Sequence, residues 1–261
     1  MLAVLLAFYV LFKSITWAKA RAKGTPFGWR GAAYLLLWPG MGFRAFLDTD
    51  RQPPHPRVGE WVSAVVKTGV GILLIWGLSP TLSPPALRGW VGMVGICLLL
   101  SDGLVHLLSL AWRSSGVVAP PLWNAPLMAN SLGSFWSHRW NLAFHDFVAE
   151  FLFRTQARAL GTGIATLSTF LISDIIHDLV ISVSAGGEYG LPTAYFVLQG
   201  LGVLVERSHL GRSLGLRRGL PGWLFAMFVV AGPVYWLFHP AFVHEVVLPF
   251  LDFVDAVSSG S

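Results

Sequence analysis

Long apolar runs separated by short basic loops dominate this sequence. Seven of the runs are near or somewhat below the roughly 20 residues that cross a bilayer as a helix. They are residues 1–17, 61–79, 89–112, 160–183, 191–206, 222–239 and 241–257. Residues 32–47 are also apolar but are broken by Pro39-Gly40-Met41-Gly42, which predicts a re-entrant or interfacial piece. We expect an all-α, polytopic membrane helical bundle of about seven to eight spans, in one domain covering residues 1–261.

Residues 140–158 follow a different periodicity. Apolar side chains recur there at i, i+3, i+4, i+7 and i+8, and charged side chains occupy the opposite face at steps of four. This pattern predicts an amphipathic helix lying in the membrane interface. Its apolar face comprises Phe144, Phe147, Val148, Phe151 and Leu152, and its charged face Asp146, Glu150, Arg154 and Arg158.

Polar residues inside the 160–183 run give the strongest chemical signal. Asp174, His177 and Asp178 are related by three- and four-residue steps, so they share one helix face. Ionisable groups at membrane depth are costly and usually face a bundle interior or a wet cavity. The same face continues toward the helix start as hydroxyls that we expect to line that cavity, namely Thr162, Thr166, Thr169 and Ser173.

His177 is the candidate general base on this face. A neutral imidazole suits proton abstraction near neutral pH, and a low-dielectric site keeps it neutral. We expect Asp174 or Asp178 to hydrogen-bond one ring nitrogen, leaving the other nitrogen as the base. The alternative is a histidine that bonds a neighbouring helix only for packing.

A second polar stripe crosses the 89–112 run. Its members are Asp102, His106, Ser109 and Arg113, at steps of four, three and four. Asp102 and His106 either line the same cavity as His177 or form an Asp–His pair between helices, in which each side chain supplies the hydrogen-bond partner of the other. Upstream of the amphipathic helix, the Asn141 amide suits a developing oxyanion and Arg139 suits phosphate, although aromatic anchoring explains this segment equally well.

Composition supports a membrane protein. Hydrophobic residues make up 54% of the chain and charged residues 12%, about half of what a soluble domain carries. Basic residues collect in loops, so we expect these loops and the C-terminus to be cytoplasmic. Residues 1–12 are apolar from the start, which favours a first membrane helix over a cleavable signal peptide. A bacterial inner membrane is the expected location, with membrane lipids rather than nucleic acid as partners.

The titratable residues argue against a metal site. The eight histidines are scattered, and His145, His239 and His244 fall near segment ends, where we expect them at the interface. The single cysteine, Cys97, excludes an internal disulfide and a multi-cysteine metal site. We therefore expect no metal and no permanently bound cofactor.

Two motifs together resemble a known family. Phe135-Trp136-Ser137-His138-Arg139-Trp140-Asn141-Leu142 is followed about 35 residues later by the membrane-embedded His177-Asp178-Leu179. This pairing resembles the membrane-bound O-acyltransferase superfamily, in its wax-ester-synthase-like branch. The likeness covers about residues 34–210, with a motif core at about 119–210. Ser137, His138, Asp174 and Asp178 depart from that branch, which has Gly, Arg, Gly and Glu there.

The resemblance implies acyl transfer from acyl-coenzyme A, a co-substrate, to a lipophilic alcohol inside the membrane. It implies that His177 and Asn141 form the reaction centre. From their positions on the same helix face, we expect Ser173, Asp174 and Asp178 to support His177. Contacts to the acyl donor are expected from Trp136, Arg139 and Trp140, with Arg207 as a secondary candidate. The alternative function is a proton-coupled transporter or lipid-handling channel, in which the Asp/His stripe is a relay. A non-catalytic scaffold descended from such an enzyme is a third possibility.

Overall fold

The computed structural model describes residues 1–24 and 28–259, the last of these by its backbone alone. Every regular element within those ranges is helical, as the sequence predicts. The α-helices are α1 (Leu2–Ala22), α2 (Trp29–Leu36), α3 (Phe43–Leu47), α4 (Val58–Ile72), α5 (Pro85–Ile96), α6 (Val105–Ser114), α7 (Leu132–His138), α8 (Leu142–Val148), α9 (Arg154–Ala185), α10 (Leu191–Arg207), α11 (His209–Ser213), α12 (Gly219–Ala231), α13 (Val234–Leu237), α14 (Pro240–Phe242) and α15 (Leu248–Ser259). Wider π-helical turns at Leu73–Leu78, Cys97–Leu104, Ala149–Phe153 and Val243–Val247 extend or join them.

Five continuous helical stretches in the described residues are long and apolar enough to cross a membrane. They are Leu2–Ala22, Val58–Thr81, Pro85–Ser114, Leu142–Ala185 and Gly219–Leu237. Each matches a predicted span. The predicted span 191–206 forms α10, which has only 17 residues. The predicted span 241–257 lies in a continuous helical stretch from Pro240 to Ser259 that is not among these five. The expected count of seven to eight spans is therefore not confirmed, although the chain is an integral membrane protein.

The chain folds into two compact units that alternate along the sequence. The first unit contains residues 1–5, 124–140 and 148–253. The second contains residues 6–123, apart from the undescribed 25–27, together with 141–147 and 254–259. The expected catalytic helix lies in the first unit.

A helix pair in the second unit depends on glycine. A Cβ atom on Gly71 would lie only 2.6 Å from the backbone nitrogen of Leu99, and one on Gly103 only 2.4 Å from Oγ1 of Thr68. Small residues allow such close backbone approach between membrane helices. Helix α4 and the Cys97–Leu104 turn therefore pack closely against each other at these two glycines.

The predicted re-entrant piece is a broken helix in the second unit. Helices α2 and α3 are separated by irregular backbone at residues 37–42, whose aromatic flank includes fully buried Tyr34 and Phe46. Irregular backbone at membrane depth must be satisfied by the protein itself. Trp112 Nε1 donates to the carbonyl of Leu37 at 3.4 Å, and Tyr9 donates to that of Trp38 at 3.4 Å.

Lys13 provides the strongest of these contacts. Its Nζ donates to the carbonyl oxygens of Tyr34 at 2.9 Å and Gly40 at 2.7 Å, and it lies 3.5 Å from the centroid of the Tyr34 ring. Burial raises the pKa of Tyr34, so this phenol stays neutral. Its side chain is buried on α1, within the predicted span 1–17.

In the first unit, Gly161 separates the helical residues on its N-terminal side from residues 162–185. Its φ of 82° and ψ of 161° interrupt α9, a conformation that only glycine adopts without strain. The amphipathic helix predicted at 140–158 is confirmed as helical on the N-terminal side of this break, where Arg154 pairs with Glu150 at 2.8 Å. Residues 162–185 then form an uninterrupted helix that carries the predicted polar stripe.

The role of Lys13 predicts a loss of stability on its removal. Lys13→Met keeps an apolar stem but leaves two carbonyl groups without their donor, and each unsatisfied buried group costs about 1–3 kcal/mol. We expect Lys13→Met to unfold at a clearly lower temperature in detergent than the wild type. Lys23→Met, which changes an exposed lysine at the end of the same segment, should leave the unfolding temperature unchanged. Equal unfolding temperatures for both variants would contradict this account of the broken helix.

Candidate active site

His177 lies half-buried on the uninterrupted part of α9. Its Nδ1 is 2.6 Å from the carbonyl oxygen of Ser173, one helical turn earlier. A carbonyl group can only accept a hydrogen bond, so Nδ1 must carry the proton. The neutral ring then presents an unprotonated Nε2, the form that a general base requires.

The two neighbouring carboxylates do not hold this ring, contrary to expectation. Among the described contacts, the Nδ1 partners of His177 are the carbonyl oxygen of Ser173 and, at 3.4 Å, its hydroxyl group. The backbone fixes the tautomer of His177 instead, because the carbonyl group four residues earlier lies within hydrogen-bond distance of the ring. Asp174 and Asp178 therefore have other partners.

Asp174 is almost fully buried, with 3% of its surface exposed. Thr193, on α10, contacts its carboxyl group. The second carboxyl oxygen, Oδ1, is inaccessible and has no hydrogen-bond partner among the described residues. An inaccessible carboxyl oxygen without a partner is costly and calls for an explanation.

Asp178 holds the turn between α9 and α10. Its Oδ1 accepts from the hydroxyl of Ser182 at 2.6 Å and from the backbone N–H of Gly190 at 3.2 Å. The Ser182 hydroxyl is also 3.3 Å from Nε2 of His239, whose Nδ1 is 2.8 Å from Glu188. The side chain of His239, which we expected near the membrane interface, is fully buried in this network.

An aromatic wall borders His177 in the first unit. Phe196 on α10 packs against the imidazole with ring centroids 4.4 Å apart. Trp136, from the first motif, lies 5.9 Å from Phe196 and 5.6 Å edge-on from Phe170. The ring of Phe196 thus lies between Trp136 of the first motif and His177 of the second and contacts both.

Two buried polar residues on α10 hold the first motif in place. Gln199 Oε1 accepts from the indole N–H of Trp136 at 3.3 Å, while Gln199 Nε2 donates to the carbonyl of Val229 at 2.8 Å. Glu206 accepts the backbone N–H groups of Leu132 and Gly133 at the start of α7. Phe196, Gln199 and Glu206 lie on one face of α10, since they are separated by three and seven residues.

The hydroxyl stripe is only partly available to a ligand. Thr166 donates to the carbonyl of Thr162 at 2.8 Å, within its own helix, and accepts from Arg207 at 3.3 Å. Oγ1 of Thr169 is inaccessible and has no partner among the described residues, and Thr162 is exposed. Arg207 therefore lies at the end of the stripe remote from His177.

Arg139 and Trp140 have structural contacts of their own. Nη1 of Arg139 donates to the carbonyl groups of Asn124 at 3.1 Å and Ala125 at 3.0 Å, which fixes a turn where Ala125 has a φ of 45°. Trp140 stacks on buried Phe135 with centroids 5.6 Å apart. Binding of an acyl donor by these side chains stays a prediction.

Asn141 belongs to the second unit and begins α8. It adopts a left-handed φ of 42°, and its Oδ1 accepts from the backbone N–H of Phe144 at 3.3 Å. This N-cap fixes the amide orientation, with Oδ1 toward the helix. The Nδ2 group, which has two N–H donors, then points away from the helix end.

The second stripe also lies in the second unit, where it forms ion pairs rather than an Asp–His pair. Asp102 pairs with Lys67 at 3.1 Å, and Arg113 pairs with Glu60. Nδ1 of His106 is inaccessible and has no partner among the described residues. Lys67 was missed in the sequence, although a lysine inside an apolar run is itself a signal.

Comparison with known proteins supports the family resemblance. The model of the membrane bound O-acyl transferase family matches residues 119–198, which contain both motifs. The chain is therefore similar to this family over those residues. The resemblance seen in the two motifs is thereby confirmed.

Two relatives place the chain near the wax-synthase-like branch. The long-chain-alcohol O-fatty-acyltransferase of Simmondsia chinensis is 30% identical over 157 residues, which cover 55% of this chain and 44% of the relative. The Arabidopsis thaliana protein named probable long-chain-alcohol O-fatty-acyltransferase 2 is 34% identical over 144 residues, 48% of this chain and 39% of the relative. The chain thus spans less than half the length of the curated relatives it matches.

Gln199, Glu206 and Phe196 were not among the predicted site residues. A glutamine and a glutamate inside an apolar run are recognisable signals, since such groups usually face a partner within the protein. Phe196 gave no signal, because one aromatic among many apolar residues is ordinary.

The Trp136–Gln199 hydrogen bond predicts energetic coupling between the first motif and α10. We expect a double-mutant cycle of Trp136→Phe and Gln199→Leu, measured by unfolding in mixed detergent, to give a coupling of about 0.6–1.7 kcal/mol. The matched cycle of Trp136→Phe with Leu201→Ala, an exposed residue on α10, should be additive. Additivity in both cycles would show that the bond does not contribute.

Proposed function

We propose that this protein is a membrane O-acyltransferase that moves an acyl group from acyl-coenzyme A to a long-chain alcohol, forming a wax-type ester. The family match, and relatives named for transfer to long-chain alcohols, support this reaction. The observation that carries the proposal is the 2.6 Å contact of His177 Nδ1 with the carbonyl oxygen of Ser173, which leaves Nε2 as the nitrogen that can accept a proton. The same comparisons do not favour the transporter alternative.

In the proposed mechanism, Nε2 of His177 accepts the proton of the alcohol hydroxyl group. The alcohol oxygen attacks the thioester carbonyl carbon, and the carbonyl oxygen becomes negatively charged. When this intermediate collapses, the C–S bond breaks and the imidazolium returns its proton to the coenzyme A sulfur. The products are an ester and free coenzyme A, with His177 restored to its neutral form.

Asn141 is proposed to stabilise the oxyanion with its Nδ2 group. The resemblance implies this role, and the N-cap supports it because Oδ1 is occupied by the N–H of Phe144 and only donors remain. A capped amide is also fixed in orientation, which reduces the reorganisation needed in the transition state.

The acyl donor is proposed to lie along the first motif. Trp136 and Trp140 offer apolar surface, and Arg139 and Arg207 offer guanidinium groups suited to coenzyme phosphates. Arg207 is exposed at the end of α10 and uses one nitrogen to reach Thr166. Arg139 keeps its Nη1 on the Asn124–Ala125 turn.

The finer topology is also a proposal. We retain cytoplasmic basic loops and a cytoplasmic C-terminus, with α10 and residues 240–259 as additional membrane helices that bring the count to seven. The source membrane stays a prediction: a bacterial inner membrane was expected, whereas the matched relatives are plant proteins.

Removal of the base predicts loss of ester formation. Membranes containing His177→Ala, supplied with labelled acyl-coenzyme A and hexadecanol, should form ester about 10²–10⁴-fold more slowly than the wild type. Exposed His244 provides the control, since His244→Ala should retain wild-type turnover. If His177→Ala stays active, the role of His177 as the base is wrong. If the wild type drives pH-gradient uptake without any covalent product, the proposed function is wrong.

The variant Asn141→Asp tests whether Asn141 acts in catalysis as well as capping α8. Aspartate keeps an oxygen that caps α8 and tolerates the left-handed backbone, but it lacks the Nδ2 donor and adds a negative charge. We expect unchanged unfolding in detergent and about 10²–10³-fold slower ester formation, as for the loss of one oxyanion donor. Wild-type turnover in this variant would remove Asn141 from the mechanism and leave it as a helix cap only.

A further inference from the structure

Asp174 places an unsatisfied acceptor beside the proposed base. Its side chain is 97% buried, and Oδ1 has no hydrogen-bond partner among the described residues. Thr193 contacts the carboxyl group from α10, so the unsatisfied oxygen is the one that a ligand could use. A fold that keeps such an atom at membrane depth forgoes the stabilisation of a hydrogen bond, unless a bound molecule supplies the donor.

The position of this oxygen relates it to the reaction. Asp174 and His177 are three residues apart on α9, which places their Cβ atoms about 5–6 Å apart. Thr193 and Phe196 are likewise three residues apart on α10, and they contact Asp174 and His177 respectively. The same strip between α9 and α10 therefore contains two acceptors, Nε2 of His177 and Oδ1 of Asp174.

We propose that Asp174 is a specificity-determining residue that binds a second hydroxyl group of the acceptor, so that the preferred acceptor is a lipid with two neighbouring hydroxyl groups. This inference rests on the proposed acyl transfer. One hydroxyl donates to Nε2 of His177, loses its proton and is acylated. The neighbouring hydroxyl donates to Oδ1 of Asp174 and is unchanged in the reaction, so the atom balance of acyl transfer is not altered.

The chemistry of the strip favours a hydroxyl donor over a metal ion. The described residues contain no group of three or more His, Cys, Asp or Glu side chains that could hold a metal. A simple long-chain alcohol satisfies only the base and leaves Oδ1 unpaired. A site with a buried polar group rejects a substrate that lacks the matching group more strongly than an apolar pocket rejects an extra methylene.

Three acceptors of equal chain length test the inference in membranes containing the full chain. They are hexadecanol, 1,2-hexadecanediol and 2-methoxyhexadecanol, whose ether oxygen fills the same space but cannot donate. We expect wild-type kcat/KM for the diol to exceed that for each of the other two by about tenfold or more. In Asp174→Ala this ratio should fall to about one.

The outcomes separate this inference from the function on which it rests. Ester formation from all three acceptors at equal kcat/KM overturns the role of Asp174, since a water molecule then satisfies Oδ1, and leaves the acyltransferase intact. An unchanged diol preference in Asp174→Ala overturns it as well. No ester from any acceptor in the wild type overturns the proposed function itself. If Asp174→Ala does not fold, the three wild-type values alone decide.

Discussion

The hydrocarbon of a bilayer offers no hydrogen-bond partners, and this constraint determines the polar structure of the protein. Each polar group at membrane depth must find its partner within the chain. Lys13 satisfies two carbonyls of a broken helix, Glu206 satisfies two N–H groups at the start of α7, and Ser173 holds the ring of His177. Against this background, Oδ1 of Asp174, like Oγ1 of Thr169 and Nδ1 of His106, has no partner among the described residues.

Helix α10 is the element that relates the two motifs within the first unit. Gln199 fixes Trp136 of the first motif, and Phe196 packs on His177 of the second. Asp178 fixes the turn from which α10 begins, through the N–H of Gly190. The surroundings of the proposed base thus depend on residues that take no part in the reaction.

Much of the fold and part of the site follow from the sequence, for identifiable reasons. Five spans and the amphipathic helix were predictable because apolar runs and helical periodicity are local properties. The partners of Lys13, Lys67 and His239 were not, since they lie 21–57 residues away along the chain. The prediction that Asp174 or Asp178 fixes the tautomer of His177 failed because it considered only side chains, and not the helix backbone, as hydrogen-bond partners. Gln199 could have been found as a polar residue in an apolar run; Phe196 could not.

The central claim is that His177 is a neutral imidazole with its proton on Nδ1 and a free Nε2. Nitrogen-15 NMR of the histidine-labelled protein in lipid bilayers, with the signals of His177 identified by their loss in His177→Gln, tests this directly. The account predicts a protonated Nδ1 and an unprotonated Nε2 near neutral pH. A ring with its proton on Nε2, or a doubly protonated ring, would contradict it.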